Sequence, residues 1–217
     1  MKRLSLIVFI LCVSLVYAKA EERSLFNVSQ TFLSTLKASR YEHKAVIDEE
    51  NGVYALDCSS FIGLLLQKSS LQAYKALPID APHKRPRAKN FYAFFNALSE
   101  HEAKKGWIAI KHMNTLRKGD IIAWAYDPAL GKKDTGHVVM VHEVPVKEKD
   151  GRYKVMVLDS SKGIHANDTR VEKSEGGIGL GVMWFSVDSE ETPIGLYWSD
   201  RSKFMSTHKI SMARVQI

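Results

Sequence analysis

Apolar positions recur at helical spacing in the first half of the chain and gather into short runs in the second. Leu25, Val28, Phe32 and Leu36 stand three and four residues apart, which predicts an amphipathic helix over 24–39. In "DCSSFIGLLL" Asp57 is a candidate N-cap. Phe61, Leu64 and Leu65 behind it make a compact apolar face, so a second helix is expected over 58–68. Pro78, Pro82 and Pro86 break the next stretch, and 78–89 reads as a loop. "NFYAFFNALSEHEAK" predicts a third helix over 90–104, capped near Asn90 and ended by Gly106.

From there the pattern changes. "DIIAWAY" (120–126), "HVVMVHEV" (137–144), "YKVMVLD" (153–159), "GVMWFSV" (181–187), "IGLYW" (194–198) and "ISMARVQI" (210–217) are short, β-branched and aromatic. Turn-forming segments such as "DPALGKKDTG", "KEKDG" and "EGGIG" separate them. Helices first and strands after predict the α+β class. The expected architecture is N-terminal helices packed on an antiparallel sheet of about five to six strands.

The first twenty residues change how the rest is counted. "MKR", the apolar run "LSLIVFILCVSLVY" and "AKA" have the three parts of a signal peptide. We expect cleavage after Ala20, a single domain over 21–217, and an exported chain, periplasmic or secreted. No later apolar run is long enough for a membrane span. The leader carries Lys2, Arg3 and Lys19 and no acid, so the formal net charge falls from +7 to +4. That balance suits an anionic envelope polymer and gives no reason to expect nucleic-acid binding. The basic run "APHKRPRAK" (81–89) reads as a solvated loop.

With Cys12 inside the leader, Cys58 is the one cysteine of the expected mature chain, and it has no disulfide partner. It is either a small buried apolar residue or a nucleophile. At the start of a helix its sulfur would face free backbone N–H groups, which stabilise a thiolate and an oxyanion alike. Of the eight histidines, His137 opens the apolar strand "VVMV" and so stands at the lip of the sheet. His165, in the loop after the next strand, is the other candidate base. Asp159 ends "VMVLD" and could orient an imidazole. With a hairpin turn near 148–151, position 137 falls opposite 161–162. A bulge or uneven loop would then bring 159 level. Past that strand, "SSKGIHANDTR" holds His165, Asp168 and Arg170 together. Arg170 is a candidate partner for a substrate carboxylate.

"DCSSFI", "LRKGDIIAW", "TGHVVMVHEV" and a strand ending in a polar residue, in that order, resemble the NlpC/P60 cysteine peptidases. The resemblance covers about residues 36–160 and keeps the unpermuted order, cysteine before histidine. It implies a papain-like α+β fold, with Cys58 as nucleophile, His137 as general base and Asp159 as the orienting third residue. It also implies that Asp57 and Ser59 help bind the free amine end of a short peptide, and that Tyr41 lines the site near the oxyanion. His165 and Arg170 complete the expected substrate-binding set. The chain departs from the family pattern in several places. Ser60 stands where glycine is usual, and the third residue is aspartate where histidine is commoner. The glycine pair after the tyrosine is missing, and the segment between Cys58 and His137 is long.

The resulting expectation is an exported cysteine hydrolase that cleaves amides in peptidoglycan stem peptides through a thioester acyl-enzyme. It would need no cofactor or metal and would act as a monomer. Its substrate would be a peptidoglycan peptide or another small peptide or amide. The alternatives are amidase, deamidase or acyl-transfer chemistry at the same site, or a catalytically silent envelope protein that binds peptides.

Overall fold

The computed structural model describes residues 24–131, 134–170 and 175–216, so the expected leader lies outside the described residues. Helix α1 (Leu25–Thr35) starts at Ser24, whose hydroxyl accepts the Asn27 N–H, and it buries Leu25, Ser29 and Phe32. It stops short of the expected residue 39 because the chain is recruited into a sheet. Strand β1 (Ala38–Arg40) runs parallel to β3 (Val53–Ala55), and β2 (Val46–Asp48) pairs antiparallel on the other side of β3.

Helix α2 (Cys58–Ser69) follows directly. Asp57 caps it by accepting the Ser60 N–H at 2.8 Å. The helix is buried on all sides rather than along one face, as expected of a central element. It packs on α1, on the short helix α3 (Leu71–Ala76) and on strands of the main sheet. Helix α4 (Ala88–Asn96) is shorter than the expected 90–104. The chain beyond it peels away because the Ser99 carbonyl accepts the Ala109 N–H and Lys104 bridges to Trp107. This prepares β4 (Trp107–Ile110), a strand the apolar pattern did not suggest.

The remaining strands are β5 (Ile121–Ala125), β6 (Gly136–Val141), β7 (Val146–Lys147), β8 (Tyr153–Ser161), β9 (Gly177–Val187), β10 (Pro193–Tyr197) and β11 (Lys209–Val215). They form an antiparallel sheet in the order β10-β9-β8-β6-β5-β11-β4, with β7 on β8. All six strands expected from the sequence fall on observed ones, but the expected fold class does not hold. The sheet has eight strands and curls into a half-barrel, and a second, three-stranded sheet lies outside it. Strand accounts for 33% of the described residues against 23% for helix. The architecture is therefore strand-dominated, not a set of helices on a five- or six-stranded papain-like sheet. The miss has a physical reason: β1, β2, β3 and β7 have only two or three residues each, too few to show an alternation.

Alternation does sort the main sheet into two faces. Ile121, Ala123, Val138, Met140 and Leu158 join the helices in one core. Ile122, Trp124, Val139, Val141 and Val157 pack on the opposite face with Met183 and Phe185. Among the described residues no helix is long and apolar enough to cross a membrane.

Candidate active site

The ladder between β6 and β8 is short. Met140 pairs with Leu158 and Val141 with Val157, and toward the start of β6 the two strands share no further rungs among the described residues. The start of α2 faces this open seam. Ser160 of β8 donates its hydroxyl to the Leu56 carbonyl at 2.6 Å, which ties the chain just before the helix to the sheet. The N–H of Val138, the residue after His137, lies near enough to the Cys58 sulfur to favour its ionised form. A thiol at a helix start is thus set at the end of the strand that carries the histidine.

Extending the register places His137 level with Ser161 and Val139 level with Asp159. His137 Nε2 nevertheless lies 2.6 Å from Asp159 Oδ2. The two residues are diagonal neighbours on one face, within reach for long or aromatic side chains, and no bulge is needed. Asp159 has no exposure and accepts from several groups. Burial alone would raise its carboxyl. The charges of His165 and Arg170 and the hydrogen bonds from His137 and His165 outweigh that and hold it well below the usual carboxylate range. An ionised carboxylate only accepts, so His137 donates from Nε2 and keeps Nδ1 free to take a proton.

The thiol itself is not depressed, as a helix start had suggested. Burial pushes Cys58 well above the ordinary thiol value. The charges of Asp57, Asp159 and Asp134 add to this, and the Val138 N–H works against it. The resting sulfur is a neutral thiol, and the imidazole held by Asp159 belongs to the residue just before Val138.

On the solvent side a cleft of about 240 Å³ opens on Cys58, with Tyr41, His43, Asp57, Ser59, Arg85 and Asp134 in its walls. Tyr41, Asp57 and Ser59, all marked in the sequence, are therefore gathered at the thiol. Burial, then the charges of Cys58, Asp134 and Asp57, push the Tyr41 hydroxyl up, so it stays a donor and contributes its proton to Asp134 Oδ1 at 3.4 Å. His43 lies between two carboxylates, with Nδ1 3.3 Å from Asp57 and Nε2 3.3 Å from Asp134. Arg85 comes from the basic run expected to be solvated. It donates to Ser59 Oγ at 2.7 Å and to Asp57 Oδ2 at 2.5 Å. Burial opposes ionisation of Asp57, but Arg85, the Ser60 N–H and His43 hold its carboxyl below the usual value.

His165 and Arg170 do not reach the cleft. They sit behind Asp159, with side chains 0% and 4% exposed. His165 Nε2 is 3.1 Å from Asp159 Oδ2 and its Nδ1 is 3.0 Å from the Trp198 carbonyl. The Arg170 guanidinium stands 3.0 Å from Asp159 Oδ1 in an ion pair off the hydrogen-bonding direction. Its donors go to both oxygens of Asp168, to the Gly177 carbonyl and to Ser161 Oγ. The expected salt bridge from Arg170 to a substrate carboxylate is thus replaced by an internal one. Two alternate glycines of β9 make the room. A Cβ at Gly179 would lie 2.6 Å from Arg170 Cγ, and one at Gly181 would lie 2.6 Å from His165 Cβ. "EGGIG" had read as a turn; it opens a strand with one face stripped of side chains.

Trp198 closes the same side, its ring 5.1 Å from that of His137 and 4.3 Å from that of His165. Arg85, His43, Asp134 and Trp198 were not marked in the sequence. Only His43 left a trace, as a histidine two residues after Tyr41. Among the described residues no cluster of three His, Cys, Asp or Glu side chains has the geometry to hold a metal ion.

Fold and site together define a strand-rich protein with a buried His137–Asp159 pair and a buried Cys58 along one sheet seam. The chain is similar to the uncharacterized protein R653 of Acanthamoeba polyphaga mimivirus. The two are 28% identical over 184 aligned residues, which cover 74% of this chain and 78% of that protein. No family model and no solved structure matches the chain.

Proposed function

We propose that the chain is an exported cysteine hydrolase that cleaves amide bonds in short peptides. Peptidoglycan stem peptides are the class its NlpC/P60-like motif order favours. The observation that supports the reading is the 2.6 Å contact of His137 Nε2 with Asp159 Oδ2, one residue before the Val138 N–H that acts on the Cys58 sulfur.

Because the resting sulfur is a thiol, the imidazole works as a general base. As the sulfur bonds to the amide carbon, its proton passes to His137 Nδ1, and the carbonyl oxygen becomes an oxyanion. The first N–H groups of α2, which have no partner within the helix, stabilise that charge. Collapse breaks the C–N bond, the departing amine takes the proton from His137, and a thioester remains. Water, deprotonated by His137, then releases the acid and restores the thiol. Asp159 holds the imidazole by Nε2 throughout, which leaves Nδ1 for the proton.

The test is digestion of purified peptidoglycan by wild type and Cys58→Ala, with products identified by mass. New stem fragments from wild type alone are expected, and they would name the bond. Identical product sets would overturn the reading. His137→Ala should also slow alkylation of Cys58 near neutral pH.

A further inference from the structure

The residues on either side of Cys58 form an acceptor pair. Asp57 contributes a carboxylate and Ser59 a hydroxyl, and Ser59 Oγ itself leans on Asp57 Oδ1 at 3.1 Å. Placed beside a nucleophile, such a pair is a seat for a cation. In this chain the seat is taken. Arg85 Nη1 donates to Ser59 Oγ at 2.7 Å, and Arg85 Nη2 donates to Asp57 Oδ2 at 2.5 Å. Further contacts run from Nη1 to the Pro86 carbonyl at 3.4 Å and from Nη2 to the His43 carbonyl at 3.3 Å. The terminal nitrogens of the guanidinium are thereby spent on the chain's own acceptors. It offers a substrate carboxylate little, and it denies a substrate amine its partner. The side chain is 29% exposed against 8% for Asp57, so it lies over the acid like a cover.

We propose that Arg85 is a specificity-determining residue. It fills the anionic seat beside Cys58 from within, so the cleft turns away peptides with a free amine at that position and accepts amide-blocked ones. The inference rests on the hydrolase reading for its substrate, and on geometry alone for its effect on charge. The charge of Asp57 is one of the influences that push the Cys58 thiol up. Removing Arg85 therefore makes the sulfur harder to ionise while making the cleft more attractive to cations.

The test uses the thiol as its own probe. Cys58 is treated with methanethiosulfonates whose transferred group is neutral (methyl) or cationic (trimethylammonioethyl). In each reaction the thiolate forms a mixed disulfide and methanesulfinate leaves. Adducts are read by mass on the peptide that carries Cys58, and rates are normalised to a free small thiol. Arg85→Met keeps the stem and removes the charge; Arg85→Lys restores a charge. The cationic-to-neutral rate ratio should rise about tenfold in Arg85→Met, the scale of one screened charge near the site. It should return toward the wild-type value in Arg85→Lys. An equal ratio in wild type and Arg85→Met would overturn the assignment.

Stem peptides with free and acetylated N-termini give the second readout. Wild type should favour the acetylated form. Arg85→Met should lower KM for the free amine with a smaller change in kcat, and an unchanged preference counts against the assignment. The two readings fail separately. A shifted ratio without any peptide cleavage removes the hydrolase reading and leaves Arg85 as the residue that sets the charge of the cleft. Cleavage with an unshifted ratio does the reverse. If no reagent reaches native Cys58 in either protein, both fall.

Discussion

Two clusters of carboxylates and cations flank the Cys58–His137 pair, and they differ in what water can reach. Behind the pair, Asp159, His165, Arg170 and Asp168 are between 0% and 4% exposed. In front of it, Asp57 is covered, but its partners Arg85 and His43 are 29% and 51% exposed. The chemistry is the same on both sides and the consequences are not. In the rear cluster each charge has a fixed partner, and loss of one strands another in a dry interior. In the front cluster water can replace a lost partner, so a substitution changes the field at the sulfur more than the stability of the fold. The rear cluster holds the imidazole in place, and the front cluster decides what may approach it.

The comparison breaks most readily at its two aspartates. Asp159→Ala removes the buried carboxylate that Arg170 and His165 share, leaving Asp168 as the remaining anion of the cluster, and should cost about 3–5 kcal/mol in urea unfolding. Asp57→Ala removes a helix cap and should cost about 1 kcal/mol. Equal losses would erase the distinction. An effect smaller than that at Asp159 is expected at the glycine floor. Gly179→Val drives a side chain into Arg170 and should cost about 1–3 kcal/mol. His137-dependent reactivity of Cys58 should fall with it, because Asp159 loses its support.

The pH dependence sharpens the contrast. The rear carboxylate has a depressed folded value. Its stabilisation is therefore present above the ordinary carboxylate range and is lost only as pH falls through that depressed value. Asp159→Asn should accordingly flatten the acid limb of the stability curve. Cys58 works in the opposite direction. Its folded value is raised, so above 9.0, where an unperturbed thiol ionises, the unfolded chain gains and the fold loses stability. Cys58→Ala should remove that alkaline loss. The smallest effect belongs to an ion pair remote from both clusters. Lys68→Ala, which breaks the contact with Glu49, should change stability by no more than about 0.5 kcal/mol.

Much of the site was legible because local signals mark it. A capping aspartate before an apolar helix points to Cys58, and a histidine at the first apolar residue of a strand points to His137. A polar residue after an apolar run points to Asp159. What stayed hidden depends on contacts between distant segments. Arg85 reaches Asp57 across a proline-broken loop whose composition reads as solvent-facing. Arg170 reads as a ligand group because nothing in "NDTR" shows that glycines on a later strand will admit it to the interior. The fold was less legible than the site. Short strands have no period to detect, and the curl of the sheet comes from strand twist and pairing rather than from any local pattern.

One feature of the seam does not depend on the hydrolase reading. The Val138 N–H lies beyond the last β6–β8 rung and favours the ionised form of the Cys58 sulfur. Such an N–H answers to the state of the sulfur, polarised more when it is ionised and less when it is acylated. The amide resonance of this single residue is therefore a built-in spectroscopic reporter. Its chemical shift and exchange rate register ionisation, alkylation or acyl transfer at Cys58 in the native chain, with no label attached and before any substrate is known.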